Sequence, residues 1–176
     1  DRKGEVLAAL THFWLTRVLA DFPHHLLPTL DYKNEALPYN VLRVLRVPID
    51  PWEMIFRGHI GGSVWAQYQK TGMVAGQKLT PGLQKWQRLF PEPIFTPSSK
   101  EEEGHDRNVT VEEYRAAMGT RGDQMTRLLG DAYRIAYNYA AEHGILILDT
   151  KFEGGQGIIA DEVLTPDSSR FTTVED

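Results

Sequence analysis

Three charged residues alternate in Asp149-Thr150-Lys151-Phe152-Glu153. Gly154-Gly155-Gln156-Gly157 follows, and then an apolar run from Ile158 to Leu164 that carries Asp161 and Glu162. On an extended strand residues two apart share a face, so Asp149, Lys151 and Glu153 project together. The glycines predict a turn and an antiparallel return strand that brings Asp161 and Glu162 close. Carboxylates and one lysine on such a hairpin suit Mg²⁺ and a nucleoside triphosphate. Magnesium takes one or two carboxylates plus phosphate oxygens, and lysine neutralises phosphate charge. A solvated sheet face with i, i+2 ion pairs is the plainer alternative. If residues 154–157 form the whole turn, Glu153 pairs with Ile158 and Asp149 with Glu162. That register sets Glu162 beside Lys151 and turns Asp161 to the far face.

Two further stretches are shaped for anions. Thr165-Pro166-Asp167-Ser168-Ser169-Arg170 gathers hydroxyls and a guanidinium in one turn, where an arginine fork matches phosphate geometry; a simple capping turn is the alternative. Gly61-Gly62-Ser63 stands before a helical pattern and offers free backbone N–H groups, with Arg57 close by. We expect Arg57, Ser63 and Arg170 to converge on one phosphate. Pro93 to Lys100, then Gly104-His105-Asp106, reads as a proline-preset loop tipped with Lys, His and Asp that closes over a polar substrate. Glu101-Glu102-Glu103 reads as a solvated charge run. Adjacent loop histidines such as His24 and His25 carry little weight as metal ligands. Asn108-Val109-Thr110 matches a glycosylation sequon, discounted because no secretory segment precedes it.

The elements that must hold these groups follow from periodicity. Val6, Leu7, Leu10, Phe13, Trp14 and Val18 predict a helix over about 5–20, stopped at Phe22-Pro23. Val41 to Val47 reads as extended. Trp52 to His59 reads as a strand with Trp52, Met54 and Phe56 on one face and Glu53, Ile55 and Arg57 on the other. A short helix is expected from Val64 to Lys70, ended by Gly72. The Pro- and Gly-rich stretch 72–104 reads as a long connection. Thr110 with Glu113 is a capping box for a helix to Met118. A longer helix is expected from Asp123 to His143, with a stripe of Met125, Leu128, Leu129, Ala132, Ile135, Ala136, Tyr139 and Ala140. The class is α+β with antiparallel pairing.

Composition narrows the chemistry. The chain has 176 residues, 41% of them apolar, enough for a sizeable core without metal or disulfide staples. Nineteen basic against 24 acidic residues give −5, which argues against a general nucleic-acid surface. No apolar run approaches the ~18 residues of a membrane span. Cysteine is absent, which excludes disulfides, thiolate catalysis and Cys-based zinc sites and fits a reducing cytoplasm. A start at Asp1 and a polar end at 172–176 lead us to expect part of a longer polypeptide.

Taken together, the motifs resemble one family, phosphoribosylaminoimidazole-succinocarboxamide synthase, or SAICAR synthetase. They are Trp52 to Trp65 (WEMIFRGHIGGSVW), Pro91 to Lys100 (PEPIFTPSSK) with Gly104-His105-Asp106, Asp149 to Glu153 (DTKFE), and Asp161 to Phe171 (DEVLTPDSSRF). Lys3 to Leu7 with Phe13-Trp14 also looks like the family's first-domain helix. The resemblance implies a two-lobed, ATP-grasp-related α+β fold. Residues 1–40 would be a remnant of the N-terminal lobe with helix and linker, and 41–176 the central ATP- and ribonucleotide-binding domain. The family's Gly-rich nucleotide strand and its C-terminal helical portion find no match here, and the turn after Glu153 is shorter than the family's. The implied reaction joins L-aspartate to carboxyaminoimidazole ribonucleotide using ATP and Mg²⁺. By resemblance Glu53, Arg57, Ser63, Asp167, Ser169 and Arg170 grip the ribonucleotide, and Lys151 meets ATP phosphates. Glu153 and Asp161 hold Mg²⁺, and Lys100, His105 and Asp106 lie near the incoming aspartate. Lys151, Arg170 and Asp167 are the implied catalytic group. The resemblance thus selects Asp161 where the idealised register selects Glu162. A small-metabolite phosphotransferase of related fold, or a non-catalytic ribonucleotide-binding fragment, are the alternatives. The partners implied are small molecules, with no nucleic acid and no membrane; a homo-oligomer stays open.

Overall fold

A computed structural model describes residues 2–28, 37–89, 91–100 and 107–174. Its frame is a six-stranded antiparallel sheet built around β1 (Trp52–Arg57). The alternation expected for β1 places Met54 and Phe56 in the core and Glu53, Ile55 and Arg57 on the opposite face. β4 (Ile94–Ser99) pairs one edge of β1 and β6 (Ile145–Gly155) the other, in register Ile55↔Lys151 and Arg57↔Asp149. β5 (Arg107–Asn108) extends the sheet from β4. The far edge of β6 is shared by β7 (Ile158–Ala160) and β8 (Ser169–Thr173). A small hairpin of β2 (Met73–Val74) and β3 (Gln77–Lys78) stands apart.

Helix α3 (Val111–Glu142) covers the core face of the sheet. Met125, Leu129, Ala132, Tyr133 and Ala136 are fully buried against Met54, Phe56 and Phe152, each large side chain contributing about 1.5–3 kcal/mol of transfer free energy. Gly130 lets the helix approach closely, since a Cβ there would lie 3.1 Å from the Phe56 ring. Helix α1 (Lys3–Phe13) runs into a π-helical turn, Trp14–Val18, that delivers Trp14, Leu15 and Leu19 to the same core. Helix α2 (Ser63–Thr71) belongs to a second cluster with Ile60, Val64, Tyr68 and Ile94.

Several expectations are corrected. The turn after Glu153 is two residues, Gln156-Gly157, both at positive φ (54° and 77°), and Glu153 pairs with Ala160 rather than Ile158. Gly154 and Gly155 stay in the strand, paired with Ile159 and Ile158 and with the Asp50 N–H donating to the Gly154 carbonyl at 2.9 Å. Close backbone excludes a side chain at both, since a Cβ on Gly154 would meet the Ile158 carbonyl at 2.4 Å and one on Gly155 the Pro48 carbonyl at 2.1 Å. Residues 41–47 form no strand. Val41, Val44 and Leu45 are exposed, and Leu26↔Val44 is an isolated bridge, because β-propensity yields a strand only where a sheet edge runs alongside. The stretch 72–104 contains β4, an inner strand, despite Pro97 within it. The α1 face is rotated, with Val6 exposed and Ala8 and Thr11 buried. The two helices expected between 111 and 143 abut across Gly119 (φ 58°, ψ −144°), and Ile135 faces outward where Tyr133 and Tyr137 face in. Among the described residues no helix is long and apolar enough to cross a membrane.

Candidate active site: the charged face of the sheet

The face of β1, β4 and β6 turned away from α3 carries Glu53, Arg57, Thr96, Asp149, Lys151 and Glu153. Arg57 is 3% exposed and must be paired there. Its Nη1 donates to Asp149 Oδ2 at 2.7 Å and its Nε to Thr96 Oγ1 at 2.9 Å. Burial pulls its pKa below the ordinary arginine value, and Asp149 opposes that. Arg170, opposite Asp149 on β8, forms an ion pair with the same oxygen, its Nη1 3.1 Å from Oδ2. One carboxylate oxygen therefore holds two guanidiniums. They line a cavity of about 240 Å³ with Asp149, Lys151, Asp167 and Ser169.

The surrounding turns are fitted to this pair. Gly62 has φ +60°, and a Cβ on it would fall 2.0 Å from Arg170 Nη1. Gly61 is pressed as closely by the Trp86 ring, and Arg170 lies 5.9 Å above that ring. Gly-Gly is thus required by close approach, and it sets the start of α2, with exposed Ser63, beside Arg170. In the 165–170 turn Ser168 Oγ accepts the Thr165 N–H at 3.1 Å, and Ser169 Oγ meets Thr150 Oγ1 at 2.7 Å. Asp167 pairs with Lys3 at 2.7 Å.

The lysines of this face are held by carboxylates. Lys151 Nζ donates to Glu53 Oε1 at 2.8 Å, a bond that raises the Lys151 pKa. Lys100 Nζ lies 2.5 Å from Glu153 Oε2. On the return segment the ladder stops at Ala160, opposite Glu153, and Asp161 is an exposed residue at φ 61°. Asp161 acts electrostatically on His25, and Glu162 on Lys151 and Lys3. Glu162 also accepts from Thr165 Oγ1 at 2.5 Å. No group of three or more metal-ligating side chains exists among the described residues. Glu153, the carboxylate next to Lys151 on this face, is the residue whose chemistry would suit magnesium, an ion that needs only one or two protein carboxylates and takes the rest of its ligands from phosphate and water.

Arg57, Asp167, Lys151, Ser169 and Arg170 are therefore brought together, with Glu53 bonded to Lys151. Ser63 is reached through Gly62, and Lys100 through Glu153. His105 and Asp106 lie outside the described residues. Sequence reasoning missed three contributors: Asp149 as the bridge between the arginines, Thr96 on an unrecognised strand, and Trp86 beneath Arg170.

The family model for SAICAR synthetase matches residues 1–176. The chain belongs to the SAICAR synthetase family. It is 40% identical over 190 residues to the phosphoribosylaminoimidazole-succinocarboxamide synthase of Cyberlindnera jadinii, covering 97% of this chain and 62% of that one. It is 41% identical to that of Maridesulfovibrio salexigens, covering 99% and 63%. The solved SAICAR synthase of Saccharomyces cerevisiae complexed with SAICAR superposes with a TM-score of 0.84 at 36% identity, covering 98% and 63%. The chain thus spans a little over three fifths of the length of these relatives. The solved relatives share the α+β architecture described above, and the family match bears out the resemblance drawn from the sequence motifs.

Proposed function

We propose that this chain carries the ribonucleotide- and phosphate-binding part of an ATP-dependent ligase. The enzyme joins L-aspartate to carboxyaminoimidazole ribonucleotide and gives SAICAR, ADP and phosphate. The observation that carries the reading is the convergence of Arg57 and Arg170 on one oxygen of Asp149 in a single cavity with Lys151 and Ser169. Two guanidiniums against one carboxylate leave positive charge at a point shaped for a phosphate monoester. The yeast relative's complex with SAICAR supports the same ligand class here.

A carboxylate is a poor electrophile, so the ribonucleotide carboxylate takes the γ-phosphoryl group of ATP, releasing ADP and forming an acyl phosphate. The aspartate amine attacks the acyl carbon, the C–N bond forms and phosphate leaves. The protein's part is positioning and charge neutralisation. Glu53, Arg57, Ser63, Asp167, Ser169 and Arg170 hold the ribonucleotide, and Lys151 lies against the transferred phosphate. Glu153 and Asp161 would hold Mg²⁺, which neutralises ATP phosphate charge when bound. Lys100, with His105 and Asp106, serves the aspartate side.

The test is ADP release with carboxyaminoimidazole ribonucleotide, MgATP and L-aspartate, each omitted in turn. Release that needs all three supports the ligase. Multiple turnovers without aspartate, beyond the single equivalent of ADP that acyl phosphate formation releases, point to a phosphotransferase, and ribonucleotide binding without turnover to a non-catalytic fragment.

A further inference from the structure

Strand β6 serves the core with Ile147 and the site with Asp149, although residues two apart on a regular strand face the same way. Ile147 is fully buried in the core cluster, whereas Asp149 lies between two guanidiniums on the other face. The register of β6 against β8 shifts between these two residues: Ile147 pairs with Phe171 and Asp149 with Arg170, leaving Leu148 out of the ladder. Such a bulge inverts the facing of everything beyond it. It is what lets one strand be core-facing at 147 and site-facing at 149, 151 and 153.

The bulge is held from the helix side. The Leu148 carbonyl accepts the N–H groups of Gly58 and His59 at 3.0 and 3.2 Å. Tyr133, fully buried on α3, donates its hydroxyl to the Ile147 carbonyl at 2.6 Å and accepts the Gly58 N–H at 2.9 Å. Its ring stacks on Phe56 at 6.3 Å, which fixes where the hydroxyl can reach. We propose that Tyr133 is a positioning residue for the phosphate site: it pins the bulge, and so keeps Asp149, and through Asp149 both Arg57 and Arg170, on the site face. The identity of the ligand rests on the ribonucleotide reading above; the pinning does not.

Tyr133→Phe removes the hydroxyl alone. Leu129→Ala, in the core on the same helix, is the control that lowers stability without touching the bulge. Two readouts are needed, amide hydrogen exchange at Gly58 and His59 and the Kd for ribose 5-phosphate. Tyr133→Phe should speed Gly58 exchange at least tenfold relative to Phe56 and weaken ribose 5-phosphate about tenfold. Leu129→Ala should leave that Kd within twofold. Unchanged Gly58 exchange in Tyr133→Phe, or equal weakening by Leu129→Ala, overturns the proposal. Failure of the parent chain to bind ribose 5-phosphate counts against the ribonucleotide reading, while the exchange measurement still decides the pinning.

Discussion

Gly62→Ala separates backbone strain from loss of the phosphate site. Gly62 sits at φ +60°, ψ −142°, a conformation that costs an L-residue about 1–3 kcal/mol. The new Cβ would also lie 2.0 Å from Arg170 Nη1 and 2.9 Å from Cζ, far inside van der Waals contact. A guanidinium is the flexible end of its side chain, so Arg170 gives way rather than the backbone, and it leaves Asp149 and the Trp86 ring. A lost arginine–phosphate contact is worth about 1.5–3 kcal/mol, so ribose 5-phosphate affinity should fall about tenfold to a hundredfold. Gly72→Ala provides the comparison, because Gly72 has φ +69° and a Cβ there would meet nothing within 4 Å. It should cost about 1–2 kcal/mol of stability, or roughly 2–4 °C in Tm per kcal/mol, and leave binding unchanged. Isothermal calorimetry with ribose 5-phosphate, beside urea denaturation of each variant, distinguishes the two. Wild-type affinity in Gly62→Ala, or equal loss in Gly72→Ala, would refute the placement of Arg170 in the phosphate site.

The remaining predictions concern pH, capping and metal. Burial, with Arg88 adding to it, lowers the His59 pKa. The unfolded chain therefore binds the proton more readily, and stability present above about pH 6.5 is lost as pH falls through the lower folded value, at up to about 1.4 kcal/mol per pH unit. Urea midpoints at pH 5 and 7.5 should converge in His59→Gln; an unchanged pH slope counts against the assignment. Thr110 Oγ1 accepts the Glu113 N–H at 3.1 Å and Glu113 accepts the Thr110 N–H at 2.7 Å, so Thr110→Ala should cost about 0.5–2 kcal/mol by thermal denaturation while Thr110→Ser retains most of the cap. In a Mn²⁺ titration with ATP followed by electron paramagnetic resonance, Asp161→Asn should weaken the metal more than Glu162→Gln; the reverse order assigns the site to Glu162.

What was legible in the sequence is what local chemistry decides. The alternation of β1, the Thr110–Glu113 box, the Gly72 stop and the existence of the β6–β7 hairpin each depend on neighbours a few residues away. The illegible features depend on distant chain. That Gly154-Gly155 stays extended goes with the distant segment around Asp50, whose N–H donates to the Gly154 carbonyl at 2.9 Å. β4 was hidden because Pro93 and Pro97 signal interruption, yet β1 supplies the partner that keeps Ile94–Ser99 extended. Tyr133 read as one more position on a helix, and the Leu148 bulge leaves no mark in residue type at all. The site residues were recognisable as chemistry; the bridge that organises them, Asp149, was recognisable only as one of three alternating charges.

The pairing on this face has two kinds of stoichiometry, and the difference bears on function. Lys151–Glu53, Lys100–Glu153 and Lys3–Asp167 are one-to-one, so each is near neutral, and in each the lysine is the more exposed partner and can leave for water. Arg57 and Arg170 share Asp149 two-to-one, with Arg57 buried, so the unit keeps a net positive charge that its own carboxylate cannot cancel. The surplus lies at Arg170, which is half-exposed while Arg57 and Asp149 are buried, so it is open to a dianion, in keeping with the phosphate position proposed above. The exchangeable pairs suit steps that come and go. On the proposed reading a metal at Glu153 would compete with Lys100, and an ATP phosphate at Lys151 would compete with Glu53. Lys151 would enter that exchange as an ammonium, with its pKa raised above the ordinary lysine value by the bond to Glu53.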